Sequence, residues 1–205
     1  VNEVGWWRRN RWGLIGLPVV LLAALAASSY HVEDWWWLAR PRVAVPATEG
    51  EWVHFTDIRY DRSGDVPIEL SARLAGLEEA VEPFGGVDDE LNLPTGTKGV
   101  AVVLEFQVAA DMPLTACRLS VVGADGTEYA YQYAPPSIRQ APSPCVPPDR
   151  RGPELDLFEG LEFADGDPRP EEWAVRPVVV IPDDVEIVEV RLTWGPPRHL
   201  VFQVR

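Results

Sequence analysis

Residues 99–108 read GVAVVLEFQV, and this stretch decides the fold class. Val100, Val102, Leu104, Phe106 and Val108 alternate with Ala101, Val103, Glu105 and Gln107, the two-residue period of a strand with one buried face. Downstream, Leu114–Val122 forms a second strand with Cys117, Leu119 and Val121 on one face. Gly123-Ala124-Asp125-Gly126 supplies a tight reversal, because glycine tolerates positive φ. Thr127–Tyr133 then returns with Tyr129, Tyr131 and Tyr133 on one side, which completes a hairpin.

Further strands follow on both sides. Glu51–Tyr60 reads as a strand with Trp52, Ile58 and Tyr60 on one face. Residues 66–82 stay open between helix and strand: Leu70, Leu74 and Leu77 have helical spacing, while Val66, Ile68 and Leu70 alternate. Residues 83–99 and 134–153 are punctuated by Gly and Pro, and the second holds seven of the 20 prolines, so both read as loops. Residues 154–170 mix apolar and acidic positions. Trp173–Ile181 is a strand interrupted by Pro177, the mark of an edge or a bulge. Val188, Val190, Leu192 and Trp194 alternate, as do Leu200, Phe202 and Val204 after Gly195-Pro196-Pro197. Six or seven short strands in residues 51–205 predict an all-β domain, an immunoglobulin-like β-sandwich with a small barrel as the alternative.

The first fifty residues have a different character. Gly13–Tyr30 is uncharged over 18 residues, roughly 27 Å as a helix against a hydrocarbon core of ~30 Å. Trp6, Trp7 and Trp12 lie before it and Tyr30, Trp35, Trp36 and Trp37 after it, where indole rings favour the headgroup boundary. The expected plan is a basic cytoplasmic segment (1–12), a transmembrane helix or signal anchor (13–30) engaging the bilayer, a juxtamembrane aromatic segment and linker (31–50), and the β domain. A cleaved signal peptide is the alternative, with Ala24-Leu25-Ala26 as an acceptable site. Arg8, Arg9 and Arg11 before the span favour a single pass through the plasma membrane with the C-terminal domain extracytoplasmic.

Charge and cysteines agree with this plan. Residues 1–42 carry +2 and the chain −14, which leaves −16 on residues 43–205; such a domain repels phosphate backbones, so nucleic acid is excluded as a partner. Lys98 is the only lysine, the arginine-biased usage of a high-GC bacterial coding sequence. Cys117 and Cys145 form an even pair, in an exported protein most simply a disulfide. Closing that loop would stabilise the fold by about 3.5 kcal/mol in the chain-entropy account.

No catalytic constellation stands out. His31, His54 and His199 are the only histidines, and the serines lack nucleophile-elbow or SxxK context. Asp88-Asp89-Glu90, and Asp165-Gly166-Asp167 with Glu171 and Glu172, supply oxygen ligands without the alternating spacing of an EF-hand, and read as solvated acidic loops. The sequence therefore predicts no cofactor, no metal and no enzyme. The tyrosine row Tyr129, Tyr131, Tyr133 beside a proline-rich loop is the candidate interaction face, weighed against the ordinary preference of aromatic side chains for strands.

The early Trp52 strand, the Val100–Val108 strand, the Cys117–Val122 strand with its Gly123–Gly126 turn and tyrosine-bearing return, and the pair Val185–Trp194 and His199–Val204 together resemble immunoglobulin-like extracellular domains of unknown function. These occur on lipoproteins and single-span membrane proteins of Gram-positive bacteria, especially actinobacteria. The resemblance covers residues 50–205; the lipobox cysteine of the lipoprotein members is lacking. It implies an envelope location and adds no chemistry. The expected role is an interaction or scaffolding module serving a membrane or cell-wall protein. A small secreted enzyme or inhibitor, and a passive spacer, are the alternatives.

Overall fold

The computed structural model describes residues 3–32, 40–61, 64–86, 91–114, 116–134, 138–156, 160–162 and 168–205. The chain divides into two compact units, Val1–Arg40 and Pro41–Arg205. Trp35, Trp36, Trp37, Asp88-Asp89-Glu90 and Asp165-Gly166-Asp167 lie outside the described residues.

The first unit holds helix α1, Glu3–Val32, with Pro18 inside it. It contains the expected span and extends ten residues further toward the N-terminus. Within Gly5–Ser29 an 18-residue window has a mean hydropathy of 1.9, and none of it is buried against protein. At 1.5 Å per residue those 18 residues run about 27 Å, close to the ~30 Å hydrocarbon core of a bilayer. Arg11 stands 5.5 Å over the exposed ring of Trp12.

The second unit is built from strands β1 (Val43–Thr48), β2 (Val53–Asp61), β3 (Gly64–Glu79), β4 (Thr97–Gln107), β5 (Arg118–Gly123), β6 (Glu128–Ala130), β7 (Glu154–Asp156), β8 (Gly160–Glu162), β9 (Glu172–Val175), β10 (Val178–Pro182), β11 (Ile187–Gly195) and β12 (Arg198–Gln203). One sheet has the order β1-β12-β11-β5-β6, with β1 parallel to β12 and the rest antiparallel. The other runs β10-β4-β3-β2, with β9 also on β4; β7 and β8 pair only with each other. The two sheets share one core. Leu70, Leu74, Val102, Leu104 and Phe106 from one meet Leu119, Val121, Val190, Leu192, Leu200 and Phe202 from the other. Trp194 lies between them, its ring 5.5 Å from Phe55 and 6.4 Å from Phe106. This is the two-layer arrangement of a β-sandwich.

The alternation in β4, β5, β11 and β12 places its apolar sets inward, as their period demands. Several sequence expectations need correction. Residues 43–48, expected as part of the linker, are strand β1, paired along its whole length with β12; small residues and a proline hid a strand that makes only one ladder. Of residues 66–82, residues 66–79 resolve as strand and 80–82 lie beyond its end. Leu70 and Leu74 both face the core although a bulge with Gly76 at φ +157° falls just after them, and that irregularity produced the helix-like spacing of Leu74 and Leu77. In β2 the inward residue is Phe55, opposite Leu70, so Trp52 and Ile58 face solvent and the expected face is reversed. Ring area alone suggested Trp52; its indole instead lies under Arg73, 4.9 Å away, and Arg73 pairs with Glu105. Residues 154–156 and 160–162 make a small hairpin inside a segment read as mixed.

Parts of the sheet edges are protected against further pairing. Pro46 sits in β1, and Pro177 divides β9 from β10 as its sequence position indicated. In β2, the Ile58 N–H donates to its neighbour's Asp57 Oδ1 at 2.9 Å, opposite Pro67, which has no N–H. Prolines and locally satisfied donors are the usual defence of an exposed strand edge.

Candidate functional site

Cys117 and Cys145 stand at disulfide distance, with Cα atoms 6.1 Å apart. Cys145 belongs to the proline-rich segment, which is a packed strap and not a free loop: Ile138, Gln140, Ala141, Cys145 and Val146 are all buried. Gln140 locks it. Its Nε2 donates to Val178 O at 2.8 Å and to Gln132 O at 3.2 Å, while its Oε1 accepts from Val178 N–H at 3.0 Å. One side-chain amide thus replaces a strand neighbour along β10. Ala141 N–H donates to Phe84 O at 2.7 Å, and Trp173 Nε1 donates to Cys145 O at 3.1 Å. The strap passes so close to Gly86 that a Cβ there would stand 2.2 Å from the Arg139 carbonyl oxygen.

The tyrosine row divides. Tyr129 and Tyr131 pack against the core, and the Tyr131 hydroxyl donates to Ala141 O at 2.5 Å. Burial pushes that hydroxyl well above the ordinary tyrosine range. Only Tyr133, 59% exposed, is presented to solvent. A hairpin strand with one face on the core turns alternate residues inward, so the expected face is reduced to one ring.

The histidines lie on outer faces. His54 on β2 is 3.6 Å from Glu69 on β3, at a cleft of about 460 Å³ that Gln107, Met112, Glu171 and Glu172 also line. It opens where β4 ends at Gln107 while β3 continues. His199 is buried on the outer face of the other sheet, and its basicity is lowered first by burial and then by the Arg191 charge. Arg191 is held by Glu189 at 2.7 Å and Glu128 at 3.3 Å, and Ser120 Oγ donates to Glu128 at 2.5 Å. Hydrogen bonds from Gln203 and Arg191 hold the Glu189 carboxyl below its usual range. Among the described residues no group of three or more His, Cys, Asp or Glu side chains converges as a metal site.

Arg169 is 1% exposed. It donates to the carbonyls of Met112 (2.8 Å), Ala109 (2.9 Å) and Arg151 (3.3 Å), and stands 4.7 Å over the Trp173 ring. Burial brings its guanidinium down to about 10. It ties three segments together.

The remaining feature is the open end of the sandwich opposite the end where the chain enters at Val43 and Arg198. There Leu77, Val100, Ile181, Val185 and Ile187 floor a groove of about 520 Å³ between the ends of β3 and β10 and the starts of β4 and β11. Sequence reasoning missed this groove, Gln140 and Arg169. Each arises from packing between segments far apart in the chain; a buried arginine or glutamine has no local pattern.

Helix and sheets together define a chain with one apolar helix able to cross a membrane, followed by a two-sheet β domain. Comparison with protein-family models, with curated proteins and with solved structures returns no match.

Proposed function

We propose that this chain is a single-span envelope protein whose immunoglobulin-like domain is an extracytoplasmic binding module. The observation that carries the reading is α1: an 18-residue apolar window with no part of it covered by protein. Exposing that surface to water is unfavourable by roughly 25 cal/mol per Å², which a bilayer relieves. The sheet orders support the immunoglobulin-like assignment. The order β3-β4-β9/β10 follows strands A-B-E, and β6-β5-β11-β12 follows C′-C-F-G. The cysteine pair departs from the B–F bridge of antibody domains, since it joins the start of β5 to the strap. A binding role in preference to catalysis is supported by where the titratable groups lie. His54 and His199 stand on opposite sheets, and the carboxylates around His54 line an open surface cleft.

The reading is tested by expressing the full chain, washing membranes with alkaline carbonate and sequencing the mature N-terminus. Retention with residues 1–30 intact supports it; release of a domain beginning after Ala26 establishes a secreted protein instead.

A further inference from the structure

Resting on the binding-module reading, we infer that the groove at the far end of the sandwich receives an extended polypeptide segment carrying an apolar anchor flanked by basic side chains. Two observations point there. First, its floor is apolar and only partly covered: Leu77, Val100, Val185 and Ile187 pack on the core from one side and remain accessible from the other. Second, the rim is acidic on balance: Glu78, Glu79 and Glu186 line the groove with Lys98. Among the described residues Glu78 pairs with Arg176 at 3.5 Å, while Lys98 donates to the Asp183 carbonyl at 2.8 Å and makes no ion pair with Glu79 or Glu186.

Apolar floor and acidic rim together select the ligand. An uncharged acyl chain would gain nothing from the exposed carboxylates of Glu79 and Glu186, and a second copy of this acidic chain would bring like charge to the rim. A segment with one or two branched apolar residues between arginines or lysines satisfies both. The apolar floor and the acidic rim are both formed by side chains, so recognition runs through side chains.

The test uses the full chain in nanodiscs of neutral phosphatidylcholine and two fluorescein-labelled peptides, GRVLVRG and GEVLVEG, read by anisotropy. The wild-type chain binds the basic peptide at least about tenfold tighter than the acidic one, the preference weakening as salt rises. Glu79→Lys with Glu186→Lys inverts that preference, and Val185→Asp removes binding of both in a variant that still melts cooperatively. Equal binding of the two peptides, or none, overturns the inference. So does displacement by laurate irrespective of peptide charge, which assigns the groove to an acyl chain, and so does dimerisation abolished by Val185→Asp, which assigns it to a second copy. Insertion is scored separately by co-elution with the discs. A chain that binds the basic peptide but stays outside the discs refutes the anchor and leaves the groove assignment standing.

Discussion

Replacing Gln140 with leucine tests whether the proline-rich strap is part of the folded core. The side chains are similar in size, so the substitution removes hydrogen bonds with little change in volume. It leaves the Val178 N–H and C=O, bonded at 3.0 and 2.8 Å in the native protein, without partners in a buried site. Each such group costs about 1–3 kcal/mol, offset in part because leucine is easier to desolvate than an amide. The net expectation is a loss of about 3 kcal/mol, or roughly 6–12 °C in melting temperature for a domain of this size. Chemical denaturation gives the free energy, and hydrogen exchange at the Val178 amide supplies a readout that general destabilisation does not mimic. That amide should lose protection out of proportion to its neighbours in β4. A change below about 0.5 kcal/mol with Val178 still protected would refute the locking role.

Other expectations follow from the same contacts. Replacing both cysteines with serine should lower stability by about 3.5 kcal/mol, seen as an earlier denaturation midpoint; an unchanged midpoint under oxidising conditions would contradict a formed bond. Gly86→Ala should destabilise the domain by more than about 2 kcal/mol because backbone must move, whereas Gly5→Ala, with open space around it, should leave the helical circular dichroism of the chain in micelles unchanged. For His199, burial and Arg191 lower the folded affinity for protons, so below about pH 6.5 the unfolded chain binds more protons than the folded one. Stability is therefore full above that pH and declines as pH falls toward the lowered folded value. His199→Gln should flatten that segment of the pH–stability curve, and an identical slope in both proteins would show that other groups carry it. Arg169→Met should cost several kcal/mol by taking their side-chain donor from the carbonyls of Met112 and Arg151 and one of two donors from that of Ala109, measured by thermal melting.

Much of this architecture was legible because its signals are local. The alternation at Val100–Val108 and Val188–Trp194, the Gly123–Gly126 reversal and the uncharged run from Gly13 each lie within one element, and each element has the type its period implies. Gly126 adopts φ +82°, the conformation its turn requires. What stayed hidden depends on partners distant in sequence. Val43–Thr48 is a strand only because β12 lies beside it, and the inward face of β2 is set by the register of Phe55 on Leu70, against the larger ring of Trp52. Tyr131 looked available because its partner, the carbonyl of Ala141, lies across a loop that composition alone marks as irregular. Proline content ruled out a ladder in that loop correctly, but it carries no information on burial, which Gln140 and Cys145 determine.

The account rests on α1 crossing a bilayer with the β domain on the outer side, and thiol labelling of a Tyr133→Cys variant tests this most directly. Tyr133 is exposed and, although it lies within the loop that Cys117 and Cys145 close, takes no part in that pair. Intact cells expressing the full-length variant are treated with a membrane-impermeant maleimide, and carbonate-washed membranes are then analysed. The account predicts full labelling before lysis on a protein that remains in the membrane pellet. Labelling that appears only after lysis would place the domain in the cytoplasm and contradict it.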